Sequence, residues 1–251
     1  MTPALKPLKW YKSLSTRKGR LSAGAFLIEG ERAVSQVISV RPDEIEEILV
    51  AGDIPSLYSE FAVRSLNESQ FKSISVTRTP QGIAAVVKSP PDIYNNNLPA
   101  DIGGKILLLE DIQDPGNAGT LIRTAAAFGY SGVIMTEKSA DPLSPKCVQS
   151  TAGSVLSVWI RRTSGYMELI QQLQDIGYAV IAADLDGTEN PSILKNQMKL
   201  VLALGNEASG LSKELLEISE HRIRIPTIRE KAESINVAAC GAICMYLTSQ
   251  Q

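Results

Sequence analysis

Three stretches of this 251-residue chain concentrate side chains able to orient a polar ligand. The first, Glu110-Asp111-Ile112-Gln113-Asp114-Pro115-Gly116-Asn117-Ala118-Gly119, follows an apolar run and leads into a helical pattern carrying Arg123. Asn117 and Arg123 are six apart, so they need not share a helix face unless Asn117 lies at the cap, which Pro115-Gly116-Asn117 suggests. The second, Gly205-Asn206-Glu207-Ala208-Ser209-Gly210-Leu211, also follows an apolar run. The third joins Arg224-Ile225-Pro226-Thr227 to Glu233-Ser234-Ile235-Asn236-Val237-Ala238-Ala239. There Ser234 has the type of a helix N-cap and Asn236 falls in the first turn. The Ala-Ala-Cys-Gly-Ala run behind it makes a slim helix suited to close packing.

The glycine-rich second stretch lacks the Gly-Lys-Ser/Thr ending with which a phosphate loop reaches phosphate and magnesium, and its Glu207 repels phosphate. A nucleoside triphosphate is therefore a poor ligand. An adenosine-bearing ligand without phosphates suits it better, and S-adenosylmethionine is one whose positive sulfonium tolerates a nearby carboxylate. Taken singly, each stretch also has a plain structural explanation: Asn117 as a cap, Arg123 as a surface cation, the last stretch as a buried C-terminal helix.

Other polar groups carry less. Asp184-Leu185-Asp186-Gly187 starts like a calcium loop, but the remaining ligands do not follow, and a turn after a strand explains it. His221, the only histidine, has no cysteine or serine motif around it. Glu110, Asp111 and Asp114 are read as capping or solvated rather than as metal ligands, and no metal is expected. Cys147, Cys240 and Cys244 form neither a disulfide framework nor a zinc spacing and read as small buried hydrophobes.

The elements that must hold these groups follow an α/β pattern. In the first part, runs 26–29 and 45–50 read as strands, 31–38 and 54–61 as helical, 66–74 as a helix capped by Asn67, and 82–87 as a strand. The stretch 89–104, with three prolines, three successive asparagines and a Gly pair, reads as the linker. Beyond it, near-unbroken apolar runs at 106–109, 133–135, 178–183, 200–204 and 223–225 indicate a mainly parallel sheet covered on both faces. Helices are expected from near Asn117, Ser144, Tyr166, Ser209 and Ser234, with Gly129 and Gly177 at helix ends. The domains are thus 1–90, a linker 91–104, and 105–251.

Net charge is −2, 44% of residues are hydrophobic, and no apolar run approaches a membrane span, so a cytoplasmic protein is expected. Charge is uneven, however. Between Met1 and Ile28 lie Lys6, Lys9, Lys12, Arg17, Lys18 and Arg20 without one acid, with Trp10 and Tyr11 among them. Such a segment suits an RNA backbone with a stacked base, Lys12, Arg17, Lys18 and Arg20 being the contacts; a solvated amphipathic helix is the alternative.

Asn-x-Gly-x-x-x-Arg at 117–123, Gly-Asn-Glu-x-x-Gly-Leu at 205–211, and Ile-Pro followed by Ser-Ile-Asn-Val-Ala at 225–238 resemble, in order and spacing, the three motifs of the SpoU family. The resemblance is close from Lys105 onward. Glu29-Gly30 and Thr79-Pro80-Gln81-Gly82 more loosely resemble that family's substrate-binding domain, and Ala208 stands where many members have glycine.

The resemblance implies a SPOUT-class α/β domain with a C-terminal trefoil knot, preceded by a small α/β substrate-binding domain. It implies S-adenosylmethionine bound by Leu204, Gly205, Asn206, Ile225, Pro226, Ile235 and Ala238. It implies a homodimer that methylates a ribose 2′-hydroxyl of RNA, ribosomal RNA being favoured over transfer RNA. Arg123 would activate the hydroxyl or clamp an RNA phosphate, and Asn117, Glu207, Ser234 and Asn236 would orient the participants. The alternatives are a transfer-RNA methyltransferase and a non-catalytic RNA-binding assembly factor of the same fold. A dinucleotide-dependent oxidoreductase is disfavoured, because residues 113–119 do not supply Gly-x-Gly-x-x-Gly.

Overall fold

The computed structural model describes residues 6–249 apart from 196, 229, 232 and 233. The chain forms two compact units, one of residues 1–91 and 142–156, the other of 92–141 and 157–251. Among the described residues no helix is long and apolar enough to cross a membrane.

The first unit runs α1 (Leu8–Ser13), α2 (Arg17–Ala23), β1 (Ala25–Glu29), α3 (Glu31–Val40), β2 (Ile45–Ala51), β3 (Val63–Leu66), α4 (Glu68–Ile74) and β4 (Ile83–Lys88). Its sheet has the order β1-β4-β2-β3, with β4 antiparallel to both neighbours and β2 parallel to β3. Tyr11, Leu14, Phe71 and Ile74 pack on the Leu49, Ala84 and Val86 face of that sheet. Asn67 caps α4 as expected, in a reciprocal box in which its Oδ1 accepts from Gln70 N at 2.8 Å and Gln70 Oε1 accepts from Asn67 N at 3.0 Å. Two departures are local. Residues 54–61 form only a short 3₁₀ turn at Ser56–Tyr58, and an unforeseen strand, β3, takes Leu66 from the helix expected at 66–74, so that α4 begins at Glu68.

The Glu29-Gly30 and Gln81-Gly82 pieces meet. Gln81 Oε1 accepts from Glu31 N at 3.1 Å at the start of α3, and Gly30 N donates to Ile83 O at 3.0 Å. The basic segment is more structural than its composition suggests. Arg20 is 4% exposed and its guanidinium donates to the carbonyls of Leu14 and Ser15 at 3.1 and 3.2 Å, so it is built into the α1–α2 corner and withdrawn from RNA. Tyr11 is buried too, donating to Glu47 at 2.5 Å, and offers no face for a base. Lys12, Arg17 and Lys18 remain exposed.

The second unit contains β5 (Lys105–Leu109), α5 (Pro115–Ala127), β6 (Gly132–Thr136), β7 (Trp159–Thr163), α7 (Tyr166–Asp175), β8 (Ala179–Ala183), β9 (Leu200–Leu204), α8 (Lys213–Ile218), β10 (His221–Ile223) and α9 (Val237–Ser249). Helix α6 (Pro145–Thr151), between β6 and β7 in the chain, belongs to the first unit. The six strands are all parallel in the order β10-β8-β9-β5-β6-β7. The inner strands β5 and β9 are buried almost throughout, which their unbroken apolar runs require. Strand β7 was not foreseen, its Arg161 and Arg162 breaking the apolar run; α8 starts after Ser212 rather than at Ser209, and β10 ends at Ile223, leaving Ile225-Pro226 in a loop. Gly129 and Gly177 do close helices, with φ of 73° and 88°.

Helix α9 packs on α5 through Gly241, where a Cβ would stand 2.3 Å from Leu121 Cδ2 and 2.8 Å from Leu204 Cδ1. A larger residue must push α9 off both the helix and the central strand. Gly241→Val is therefore expected to destabilise the protein by about 1–3 kcal/mol, the usual cost of overpacking. A lowered denaturant midpoint at unchanged slope is the expected reading, and an unchanged midpoint refutes this packing.

Candidate functional site

The chain enters the sheet at β5, builds outward through β6 and β7, then returns to the opposite side for β8, β9 and β10. Loops leaving the carboxyl ends of β5 and β9 therefore diverge between adjacent strands, the place where open α/β sheets bind ligands. A cleft of about 500 Å³ opens beside the β9 loop, lined by residues of the segments 183–186, 204–211, 223–227 and 234–240, the last of which includes the first turn of α9.

The β9 loop is shaped by its backbone. Asn206 and Gly210 exchange backbone hydrogen bonds of 3.1 and 2.9 Å, and a Cβ on Gly205 would lie 2.4–2.5 Å from the backbone of Gly210 and Leu211, so only glycine fits there. Asn206 Oδ1 accepts from the amides of Ala208 and Ser209 at 2.9 and 3.1 Å, while its Nδ2 donates to Asp111 O at 2.8 Å. The side chain of Asn206 is thus consumed in making the loop rather than turned toward a ligand.

The three sequence stretches converge. Asn236 Oδ1 accepts from the amides of Ala238 and Ala239 at 2.9 and 3.3 Å, Asn236 Nδ2 donates to Asn117 Oδ1 at 3.1 Å, and Asn117 Nδ2 donates to Glu207 Oε1 at 2.7 Å. Residues separated by 90 and 119 positions in the chain form one line of hydrogen bonds at the edge of the cleft. Two local expectations need correction. The cap of α5 is Asp114, whose carboxylate accepts from Asn117 N at 2.9 Å, and Asn117 lies inside the first turn. At α9 the capping group is Asn236, since the helix begins at Val237, three residues after Ser234. In both cases the capping side chain sits one turn or less from the residue expected.

Of the expected cofactor residues, Leu204, Gly205, Asn206, Ile225 and Ile235 line the cleft, as do Glu207, Ser234 and Asn236. Pro226 and Ala238 are not in its wall; Ala238 is 7% exposed and serves the Asn236 cap. Arg123 is not in the wall either: six residues beyond Asn117, it is exposed on α5, about 9 Å further along the axis. The segment 184–186, read from the sequence only as a turn after a strand, also lines the cleft, with Asp184 held by Arg222 at 2.5 Å. Glu110, read from the sequence as capping or solvated, is neither. That carboxylate is 4% exposed and accepts from Tyr166 Oη and Ser212 Oγ, both at 2.7 Å, and from Ser212 N at 2.6 Å. Glu110, Asp111 and Asp114 do not converge: Asp111 is bound to Thr136 and Lys138, and Asp114 caps α5.

The SpoU rRNA Methylase family model matches residues 104–246, and the MRM3-like substrate binding domain model matches residues 6–85. The chain is 33% identical over 242 residues to the 23S rRNA (guanosine(2553)-2′-O)-methyltransferase RlmP of Bacillus subtilis, covering 95% of this chain and 94% of that protein. An AdoMet-bound rRNA methyltransferase structure from Sinorhizobium meliloti is similar at 27% identity and a TM-score of 0.80, over 99% of this chain and 96% of that one. The AdoMet complex of the SpoU methyltransferase AviRb from Streptomyces viridochromogenes shares the fold, with a TM-score of 0.83 at 24% identity over 97% of each chain.

Burial, and then the hydrogen bond to Glu110, push the Tyr166 phenol up to about 12. Its folded value is raised above the unfolded one near 10, so this contribution to stability is complete below pH 10 and is lost as pH climbs toward 12. In alkaline spectrophotometric titration Tyr166→Phe is expected to remove a late-ionising phenolate. Loss of an early-ionising one instead would contradict the buried Tyr166–Glu110 contact.

Proposed function

The chain belongs to the SpoU rRNA methylase family, and on that premise we propose that it moves the methyl group of S-adenosylmethionine to a ribose 2′-hydroxyl of ribosomal RNA. The line Asn236–Asn117–Glu207 at the mouth of the cleft carries this reading, because it joins the three motifs into one surface open to a substrate. The cleft suits the cofactor. Its volume is that of a small-molecule site; among the described residues its wall has carboxylates at Asp184, Asp186 and Glu207, with Asp184 paired to Arg222, and one cation, Arg224; Gly205 and Gly210 bring bare backbone to its edge. Such a lining disfavours phosphates and accommodates a cation.

When bound, S-adenosylmethionine supplies an electrophilic methyl group. The protein's share is to place the ribose oxygen in line with that methyl and to ease the loss of the hydroxyl proton. Glu207 and Asn117 present the polar atoms that orient the ribose, and Asn236 holds Asn117. Ser234, in the cleft wall, is assigned the same orienting role. A guanidinium stays charged across the working pH range, so Arg123 is assigned to clamping an RNA phosphate and stabilising the developing alkoxide rather than to removing the proton.

Arg123 is exposed on α5, beside α9. Helix α9 carries no charged residue, and its outer stripe of Ala239, Ile243 and Tyr246 is exposed, Ile243 at 41% and Tyr246 at 52%. An apolar stripe on a helix without charge supports a homodimer formed here. A trefoil knot is part of the same proposal: the chain leaves edge strand β10 and returns past β8 and β9 to lay α9 on α5. Ribosomal RNA is preferred because the relative acting on 23S rRNA matches nearly end to end and the substrate-binding model matches the first unit. Lys12, Arg17 and Lys18 are the proposed backbone contacts there, and the cytoplasm the proposed location.

Incubation with methyl-labelled cofactor and separate ribosomal and transfer RNA pools is expected to label a ribose in ribosomal RNA. Arg123→Ala is expected to lower kcat by about 10²–10³-fold, as loss of an oxyanion donor does, while calorimetry shows unchanged cofactor affinity. Label on a base, or on transfer RNA alone, contradicts the assignment.

A further inference from the structure

The loop that carries Glu207 closes on itself through the Asn206–Gly210 pair, so it moves as a unit, and its placement depends on what ties its two ends to the sheet. Both ties come from the two residues that follow β5. At the near end Asn206 Nδ2 donates to Asp111 O at 2.8 Å. Asp111 has φ of 57°, a left-handed backbone, and Thr136 holds it there by accepting from Asp111 N at 2.9 Å and donating to Asp111 Oδ1 at 2.7 Å.

At the far end stands Glu110. A carboxylate this buried is costly unless its lone pairs are met, and among the described residues no lysine or arginine pairs with it. Three donors meet it instead: Tyr166 Oη, Ser212 Oγ and Ser212 N. Ser212 both ends the loop and caps α8, its Oγ accepting from Leu215 N at 3.3 Å.

We infer that Glu110 is a positioning residue: from the end of the central strand it fixes Ser212, and through Ser212 the loop that sets Glu207 against Asn117. This rests on the assignment of Glu207 above. The role is that of an acceptor at a fixed point, not of a base. Glutamine can fill it, because its amide oxygen still accepts from Ser212 N while its amide nitrogen donates to the two hydroxyl oxygens, which accept as readily as they donate. Alanine cannot, since it strands Ser212 N and the Tyr166 hydroxyl without their acceptor.

The test compares Glu110→Ala and Glu110→Gln in the full chain by kcat and KM, cofactor calorimetry, and amide hydrogen exchange over residues 205–211. Glu110→Ala is expected to lower kcat on the order of 10²-fold, the cost of a small misplacement, and to speed exchange across the loop. Glu110→Gln recovers most of both losses. In a Glu207→Gln background, Glu110→Ala adds little to the loss in kcat, because it acts through the same group. Should Glu110→Ala not fold, Ser212→Ala speeds loop exchange in the same direction by a smaller factor. Equal impairment of the Ala and Gln variants, or wild-type loop exchange in Glu110→Ala, overturns the inference. A wild-type protein that labels no RNA refutes the functional reading alone, since exchange over 205–211 still decides the role of Glu110.

Discussion

Everything in the proposed site depends on the orientation of one amide, that of Asn117. Its oxygen faces a donor from Asn236 and its nitrogen faces the Glu207 carboxylate, so the direction of every bond in the line is set. The line starts at the free amides of α9, where positive charge of the helix dipole gathers, and ends on an anion. Each bond is worth only about 0.5–1.5 kcal/mol net, and less where water competes, so the line contributes little to holding the fold together. What it contributes is geometry. Three loops that share no sequence neighbourhood are held in one arrangement relative to the cleft.

The fold makes that arrangement available through the topology of the parallel sheet. Because the chain, after β7, returns to the other side of β5 and lays β9 beside it, the loops bearing Asn117 and Glu207 leave adjacent parallel strands, and α9 must cross back over α5 to bring Asn236 alongside. Small residues permit each approach. Gly205 lets the β9 loop close on Gly210, and Gly241 lets α9 sit against Leu121 and Leu204. The buried carboxylate of Glu110 and the left-handed Asp111 then tie the loop to the strand between them.

Much of this was legible in the order of residues, for physical reasons. Runs apolar on both faces announce a parallel sheet, and the inner strands β5, β8 and β9 follow them closely. Strand β7 escaped because its arginines interrupt the run, although Arg161 is buried, donating from Nε to Asn97 O at 2.6 Å. The caps were misplaced by a turn or less, since Asp114 and Asn117, or Ser234 and Asn236, are equally good capping types and only the backbone decides between them. Arg20 shows the limit of composition: its charge suggested RNA, but its neighbours in space are the carbonyls of Leu14 and Ser15. Glu110 escaped for the opposite reason, because nothing in a strand-to-loop carboxylate signals that a serine 102 residues later will close upon it.

The most direct measurement is a double-mutant cycle on kcat/KM with Asn117→Ala and Asn236→Ala. If Asn236 acts by holding Asn117, the double variant is about as slow as the slower single one, the non-additivity expected of groups that work as a unit. Losses that multiply would mean that the two asparagines act separately and that no shared line orients the substrate.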